Sequence, residues 1–463
     1  MKKTVVHVVG TGTIGEPLIG LFTDFRDKMG IDEVTFHKRS PLAGDRSKIR
    51  HLMARGAKLA ADSDQRDAFE KLGHTVSYET EEALSRATVV VDCTPAGNEM
   101  KEKYYNQLSG PKGFLAQGSE FGFGVPYARG INDEVLVPGR DRFIQIVSCN
   151  THNITTLIKT LCDEGGGKYA LDRGTFVCMR RANDISQTRD FAPAPQVGKH
   201  DDAEFGTHHA HDAFHVFETL HQKFDLFSSA VKLNTQYMHS IWFNLAFNRD
   251  ISKDEMIERL RGNLRVAVTD NRNCNEIFSF GRDHGYYGRI LSQTVVVLPT
   301  LAVRKERELY GFCFTPQDGN SLLSSVAAAL WLIEPDQEGL SKRLDPLRRF
   351  AEAKRRRHAF EQLDLRRALG HSPRQRLARV HHGLRHHLAL LAALRHQDFD
   401  APLGLHRQRL FEQRALRHVV ADDDELRRFA LVVELRQETI ENFGNLDTAI
   451  MLREIGAIAP VLP

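Results

Sequence analysis

Residues 4–22 read Thr-Val-Val-His-Val-Val-Gly-Thr-Gly-Thr-Ile-Gly-Glu-Pro-Leu-Ile-Gly-Leu-Phe. Apart from His7, residues 4–9 are β-branched, the composition of a buried strand. Glycines at 10, 12 and 15 come next, then an apolar run. G-x-G-x-x-G is informative only where a strand gives way to a helix, and here it does. The first glycine permits a tight turn. The second lets backbone approach a pyrophosphate, and the third brings the helix close to the strand. Pro17 suits a first helical turn, where its missing N–H costs nothing. Gly10, Gly12 and Gly15 therefore point to dinucleotide binding, with an ordinary glycine-rich turn as the plain alternative.

Working outward, a second strand runs from about Glu33 to Phe36. An NAD-binding unit carries Asp or Glu at its end, to hold the ribose 2′-hydroxyl. This chain has His37, Lys38, Arg39 and Ser40 there. Lys38, Arg39 and Ser40 suit a 2′-phosphate, so NADP is favoured over NAD; a solvated basic loop is the alternative. Ala87–Gly97 is an apolar strand with a polar exit, and Phe114–Glu120 is another with a Gly turn. Strands alternating with helices over the first 150 residues predict α/β architecture with a Rossmann-type doubly wound parallel sheet.

Residues 143–161 carry the chemistry. Phe143–Val147 reads as a strand, and Ile154, Leu157, Ile158 and Leu161 then fall on one helical face. Ser148 and Asn150 are good capping residues. Cys149 sits at the junction, where unpaired N–H groups and the helix dipole favour an anion. A thiol so placed gains thiolate character. The competing reading is a small core cysteine.

From Lys168 the pattern changes. Strand-like stretches with long connections, including Tyr169–Met179, 230–247, Thr294–Leu298 and Leu309–Thr315, predict an α+β catalytic domain on a mostly antiparallel sheet. Lys253–Leu264 reads as an amphipathic helix. Residues 184–213 read as a polar loop holding His208, His209 and His211. These histidines lack the carboxylate or cysteine spacing of a metal site, so none is expected. The expected domains are 1–147, completed by a closing helix over 318–335, then 148–317, then an extension over 339–463.

The chain carries 41% hydrophobic and 27% charged residues, ordinary for a globular protein. No apolar run is long enough to span a membrane. Six cysteines show neither CxxC pairs nor a disulfide framework, which fits a reducing, cytoplasmic setting. The net charge of +3 is uneven. Residues 343–420 hold 18 Lys and Arg against 7 Asp and Glu, so the remainder is mildly acidic. Overall charge therefore does not point to nucleic-acid binding by the body. The extension is rich in Arg, His and Leu. Its basic amphipathic pattern would suit RNA, a membrane or a partner, but its composition equally fits a fused unrelated stretch or a coding-frame artefact. No function is assigned to it.

Together these motifs resemble type II, archaeal-type glyceraldehyde-3-phosphate dehydrogenase over residues 4 to about 332. Gly10–Gly15 is similar to the family's G-Y-G-T-I-G, and His37-Lys-Arg-Ser-Pro41 to T-K-T-S-P. Val91–Gly97 resembles V-D-A-T-P-G-G, and Gln117–Glu120 resembles Q-G-G-E. Ser148-Cys-Asn-Thr151 matches S-C-N-T, and Arg180–Asp184 is similar to R-R-x-A-D. Thr207–His209 resembles S-H-H, and Thr235–His239 resembles T-T-L-M-H. The resemblance implies dinucleotide contacts at Thr13, Ile14, Gly118, Arg181 and Gln317. It implies substrate binding by Ser148, Cys149, Asn150, His208 and His209. It makes Cys149 the nucleophile and His239 the general base, and it implies a homotetramer. The chain departs from the pattern at Ser119, at His152-Asn153-Ile154 and at Pro316-Gln-Asp-Gly319. The implied reaction is oxidation of glyceraldehyde 3-phosphate to an acyl phosphate through a thiohemiacetal and a thioester, with NAD(P) and inorganic phosphate. A related semialdehyde or acyl-phosphate dehydrogenase, and a catalytically weak dinucleotide-binding regulatory or RNA-binding relative, are the alternatives.

Overall fold

The computed structural model describes residues 3–118, 120–183, 192–316 and 319–347. Gln317 and the basic stretch from 348 onward lie outside the described residues.

The N-terminal strands β1 (Val5–Val9), β2 (Glu33–His37), β3 (Lys58–Ala61), β4 (Tyr78–Glu79), β5 (Val89–Asp92), β6 (Gly113–Gln117), β7 (Val125–Tyr127) and β8 (Phe143–Ile146) form one sheet. Its order is β4-β3-β2-β1-β5-β6-β8-β7, with every pair parallel. Order reverses between β1 and β5, the switch point where ligands sit in doubly wound sheets. The strands are apolar because both faces are covered. Val6, Val8, Val89 and Val91 pack in one core with Leu18, Leu21 and Phe22 of the Gly15–Asp24 helix.

The Gly319–Ile333 helix is buried along its length, and Leu322, Val326 and Leu330 join that same core. It is enclosed on every side, its polar residues Asn320, Ser321, Ser324 and Ser325 as well as its apolar ones. Residues 337–347 also differ from the expected start of the extension. Leu340, Leu344 and Leu347 recur on one face and are buried in the first core.

A short hairpin, β9 (Asp163–Gly165) with β10 (Lys168–Tyr169), leads into a second sheet. This sheet comprises β11 (Leu171–Arg180), β12 (Gln196–Val197), β13 (Asp225–Lys232), β14 (His239–Phe247), β15 (Val266–Thr269), β16 (Thr294–Val297), β17 (Ala302–Arg304) and β18 (Glu308–Thr315). The order is β12-β13-β11-β14-β18-β16-β15, with β17 on β18. Within this second sheet, only β11–β13 and β15–β16 pair parallel among the described residues. The α/β class and the mostly antiparallel second sheet therefore agree with the sequence. Ile241, Phe243, Leu245 and Phe247 alternate onto one face of β14 and fill a second core with Phe176 and Cys178.

The Cys149–Cys162 helix departs from a one-faced amphipathic pattern. Its polar residues Asn150, Thr151, His152, Asn153, Thr155 and Thr156 are buried as well as its apolar ones. Hydrogen bonds compensate their desolvation. Asn153 Nδ2 donates to Thr315 Oγ1 at 2.9 Å, Thr156 Oγ1 to Gln293 Oε1 at 3.0 Å, and Thr155 Oγ1 to Thr151 O at 2.9 Å. No helix is long and apolar enough to cross a membrane among the described residues.

Candidate active site

The loop after β1 holds three glycines in three different environments. Gly10 adopts φ +92°, a left-handed conformation open to glycine at little cost. A Cβ on Gly15 would lie 2.0 Å from Gly10 O, so only glycine lets the helix start this close to β1. A Cβ on Gly12 would meet nothing within 4 Å. That open side fits a cofactor's approach. Thr13 is buried and Ile14 is the helix N-cap. Gly10 N–H donates to His37 O at 3.1 Å, tying the loop to the end of β2. Asp92, at the end of β5, accepts from Thr94 N–H and Oγ1 and from Tyr105 Oη at 2.7–2.8 Å. Burial raises its pKa, against those hydrogen bonds. Gly118 follows β6 with φ +77° and open space beside it.

Two substitutions separate these roles. Gly15→Ala overpacks closed backbone and is expected to cost about 1–3 kcal/mol of stability. Gly12→Ala is expected to leave the thermal midpoint near wild type but to weaken dinucleotide binding by about tenfold or more. Thermal unfolding and cofactor titration of both variants check this. Equal midpoints, or equal affinities, would count against the assignment.

At the end of β2, Lys38 Nζ lies 2.9 Å from Asp45 and is committed to it. Arg39 is exposed and has no ion-pair partner among the described residues, and Ser40 is half-buried beside it. The basic run is therefore partly neutralised, with Arg39 as its available cation.

At the second end, Ser148 is the N-cap of the Cys149–Cys162 helix, and its Oγ accepts the Thr151 N–H at 3.3 Å. Cys149 is half-buried at the first helical position. Its carbonyl accepts from Asn320 Nδ2 at 2.8 Å. Asn150 lies one residue on, fully buried, so it orients partners rather than capping. Its Oδ1 accepts from Thr315 Oγ1 at 3.2 Å, and its Nδ2 lies 3.5 Å from His209 Nε2. Thr315 is the register partner of His239 across β18 and β14. Cys149, Asn150, His209, Thr315 and His239 are thus gathered at one corner between the two sheets.

His239 is buried, and its Nδ1 accepts the Arg181 backbone N–H at 3.0 Å. That bond places the proton of the neutral ring on Nε2. Burial first, then the neighbouring guanidiniums of Arg181 and Arg180, holds its pKa far below the usual imidazole value. Arg181 is itself buried and donates Nε–H to Asn183 O at 2.9 Å.

His208 and His209 open a helix, His208–Glu218, rather than standing in the expected polar loop. The physical reason is a buried face of Ala210, Ala213, Val216 and Phe217. His209 is held neutral first by burial, with His208 and the Arg180 guanidinium beside it further disfavouring a charged ring. Since Nε2 faces the Asn150 amide N–H, Nδ1 carries the proton. That Nδ1 is buried without a partner among the described residues. His208 is exposed beside it, and its ring centroid lies 3.9 Å from that of His209. Among the described residues, no group of three or more His, Cys, Asp or Glu is placed to hold a metal ion.

The structure thus brings Ser148, Cys149, Asn150, His209 and His239 together, with His208 and Arg181 adjoining. Sequence reading missed Thr315 and Asn320 as supports, and Arg180 as a cation beside the histidines. The Arg180-Arg181 pair was a visible signal for Arg180. Nothing local marks Thr315, whose role comes from its register with His239.

This assembly can be compared with known proteins. A glyceraldehyde-3-phosphate dehydrogenase of Pyrobaculum calidifontis is 26% identical over 367 residues, covering 76% of this chain and 98% of that protein. The chain is similar to archaeal glyceraldehyde-3-phosphate dehydrogenases. One from Methanosarcina barkeri is 26% identical over 343 residues, 73% of this chain and 95% of its own length. One from Metallosphaera sedula is 28% identical over 305 residues, 65% and 84% of the two chains. No family model matches the chain.

Proposed function

We propose that this chain oxidises glyceraldehyde 3-phosphate to an acyl phosphate, using a nicotinamide dinucleotide and inorganic phosphate, with Cys149 as nucleophile. The observation that carries this reading is Cys149 at a capped helix N-terminus, joined to His239 through Asn150 and Thr315. The Cys149 thiolate adds to the aldehyde carbon, and the carbonyl oxygen becomes an alkoxide. The helix N-terminus stabilises that developing charge. His239 Nε2–H is the side-chain donor for the same oxygen. The C–O bond reforms as hydride leaves, and a thioester remains on Cys149. The nicotinamide, when bound, accepts that hydride. Phosphate then attacks the thioester carbon and expels the thiolate.

The general-base role expected for His239 changes in this account. A ring whose Nδ1 accepts a backbone N–H has no lone pair at Nε2 to take a proton. Starting from a thiolate, hydride departure needs no base. His208, with His209 Nδ1–H and the Arg180 guanidinium, binds the substrate's phosphate. Gly118 and Arg181 border the cofactor side.

Arg39 and the absence of a carboxylate at 38–40 favour NADP. Arg39→Ala is expected to lower kcat/KM for NADP about tenfold while leaving NAD within about twofold. An equal loss with both cofactors would remove Arg39 from the 2′-phosphate.

Steady-state dinucleotide reduction with glyceraldehyde 3-phosphate tests the reaction. Turnover should require inorganic phosphate. Turnover indifferent to phosphate would overturn the phosphorylating reading.

A further inference from the structure

The four residues Tyr286-Tyr287-Gly288-Arg289 form a tight turn between the Cys274–His284 helix and β16, with Tyr286 and Arg289 bridged to each other. Tyr287 and Gly288 both have positive φ, +50° and +72°. Tyr287 is not glycine, so its conformation is costly unless surrounding contacts repay it. Those contacts lie on the dinucleotide helix. Tyr286 Oη donates to Asp24 Oδ2 at 2.6 Å. The Tyr287 ring lies over Gly20, where a Cβ would be 2.8 Å from it. Arg55 bonds to both Asp24 and Tyr287, closing the cluster. Arg289 reaches further: buried, it donates Nη1 to Tyr287 O at 2.6 Å and Nη2 to Thr13 O at 2.8 Å. Thr13 lies inside Gly10–Gly15.

We propose that this turn is a strap by which the catalytic layer fixes the dinucleotide loop, with Arg289 as the positioning residue. The inference rests on the dinucleotide reading above. A peptide unit is planar and trans, so its C=O and N–H point in opposite directions. Holding Thr13 O toward Arg289 therefore aims the Ile14 N–H away from it. That N–H belongs to the helix N-cap, where donors serve an anionic ligand. The guanidinium also adds a fixed positive charge beside a loop that takes a pyrophosphate. β16 pairs with β18, and β18 pairs with β14 at His239. The strap thus extends from the sheet that carries the reaction to the loop that carries the cofactor.

The test is NADP titration and thermal unfolding of the full chain as wild type, Arg289→Ala, Arg289→Lys and Tyr286→Phe. Arg289→Ala is expected to weaken NADP binding about tenfold, the scale of one lost charge-assisted hydrogen bond. It should raise the cofactor KM while kcat stays within about twofold. Arg289→Lys, or added guanidinium ion with the alanine variant, should recover part of the affinity. Tyr286→Phe, which loosens the turn's anchor on Asp24 but keeps the Arg289 bond to Thr13 O, should lower the thermal midpoint and weaken NADP binding less than Arg289→Ala does. An Arg289→Ala protein that loses stability but binds NADP as wild type does overturns the inference and leaves the dinucleotide reading standing. Wild type that binds neither NADP nor NAD overturns that reading and the inference with it.

Discussion

Cys149→Ser is expected to lower phosphate-dependent dinucleotide reduction by about a thousandfold or more, while dinucleotide affinity stays near wild type. A serine hydroxyl does not ionise near neutral pH. His239 offers it no base, because its Nδ1 is held by the Arg181 N–H. The substitution is small, and Ser148 remains the helix cap. The glycine loop stands on β1 and Cys149 follows β8, so affinity and turnover should separate. Parallel cofactor titration and steady-state rates check this. A serine variant with near wild-type turnover would exclude covalent catalysis at this position.

The second large effect concerns His239. His239→Ala is expected to reduce kcat by about a hundredfold to a thousandfold, the scale of one oxyanion donor. His239→Asn keeps a donor N–H but no basic nitrogen, so it should retain appreciably more activity than alanine. A general-base role predicts that both variants fail equally. The pH profile gives a second readout. Burial and two arginines hold the His239 pKa far below 6.5. The ring is neutral above its lowered pKa and stays so through pH 6–8, so its protonation should add no acid limb there. A limb near pH 6.5 that disappears in His239→Asn would contradict this.

These effects rest on features that differ in how far sequence reveals them. The glycine loop is legible because each glycine answers a local backbone need. Gly10 turns left-handed and Gly15 meets Gly10 O within a few residues. The Cys149 corner is legible because a strand composition gives way to a 3.6-residue period. The His208–Glu218 helix is masked by its four histidines and by a cap that makes no local bond. Thr207 Oγ1 instead meets Ser228 Oγ at 2.7 Å. The run 230–247 reads as continuous sheet, yet β13 ends at Lys232 and β14 begins at His239. That break places His239 at the start of its strand. Thr315, Asn320 and Arg289 act through contacts with residues remote in the chain, which no periodicity encodes.

The measurement that bears most directly on the account is a single-turnover experiment with NADP and glyceraldehyde 3-phosphate in the absence of phosphate. A burst of NADPH equal to the active sites is expected, then a halt until phosphate is added. Mass spectrometry of the halted protein should find the acyl group on the peptide containing Cys149. Steady turnover without phosphate, or an acyl group on any other residue, would contradict it.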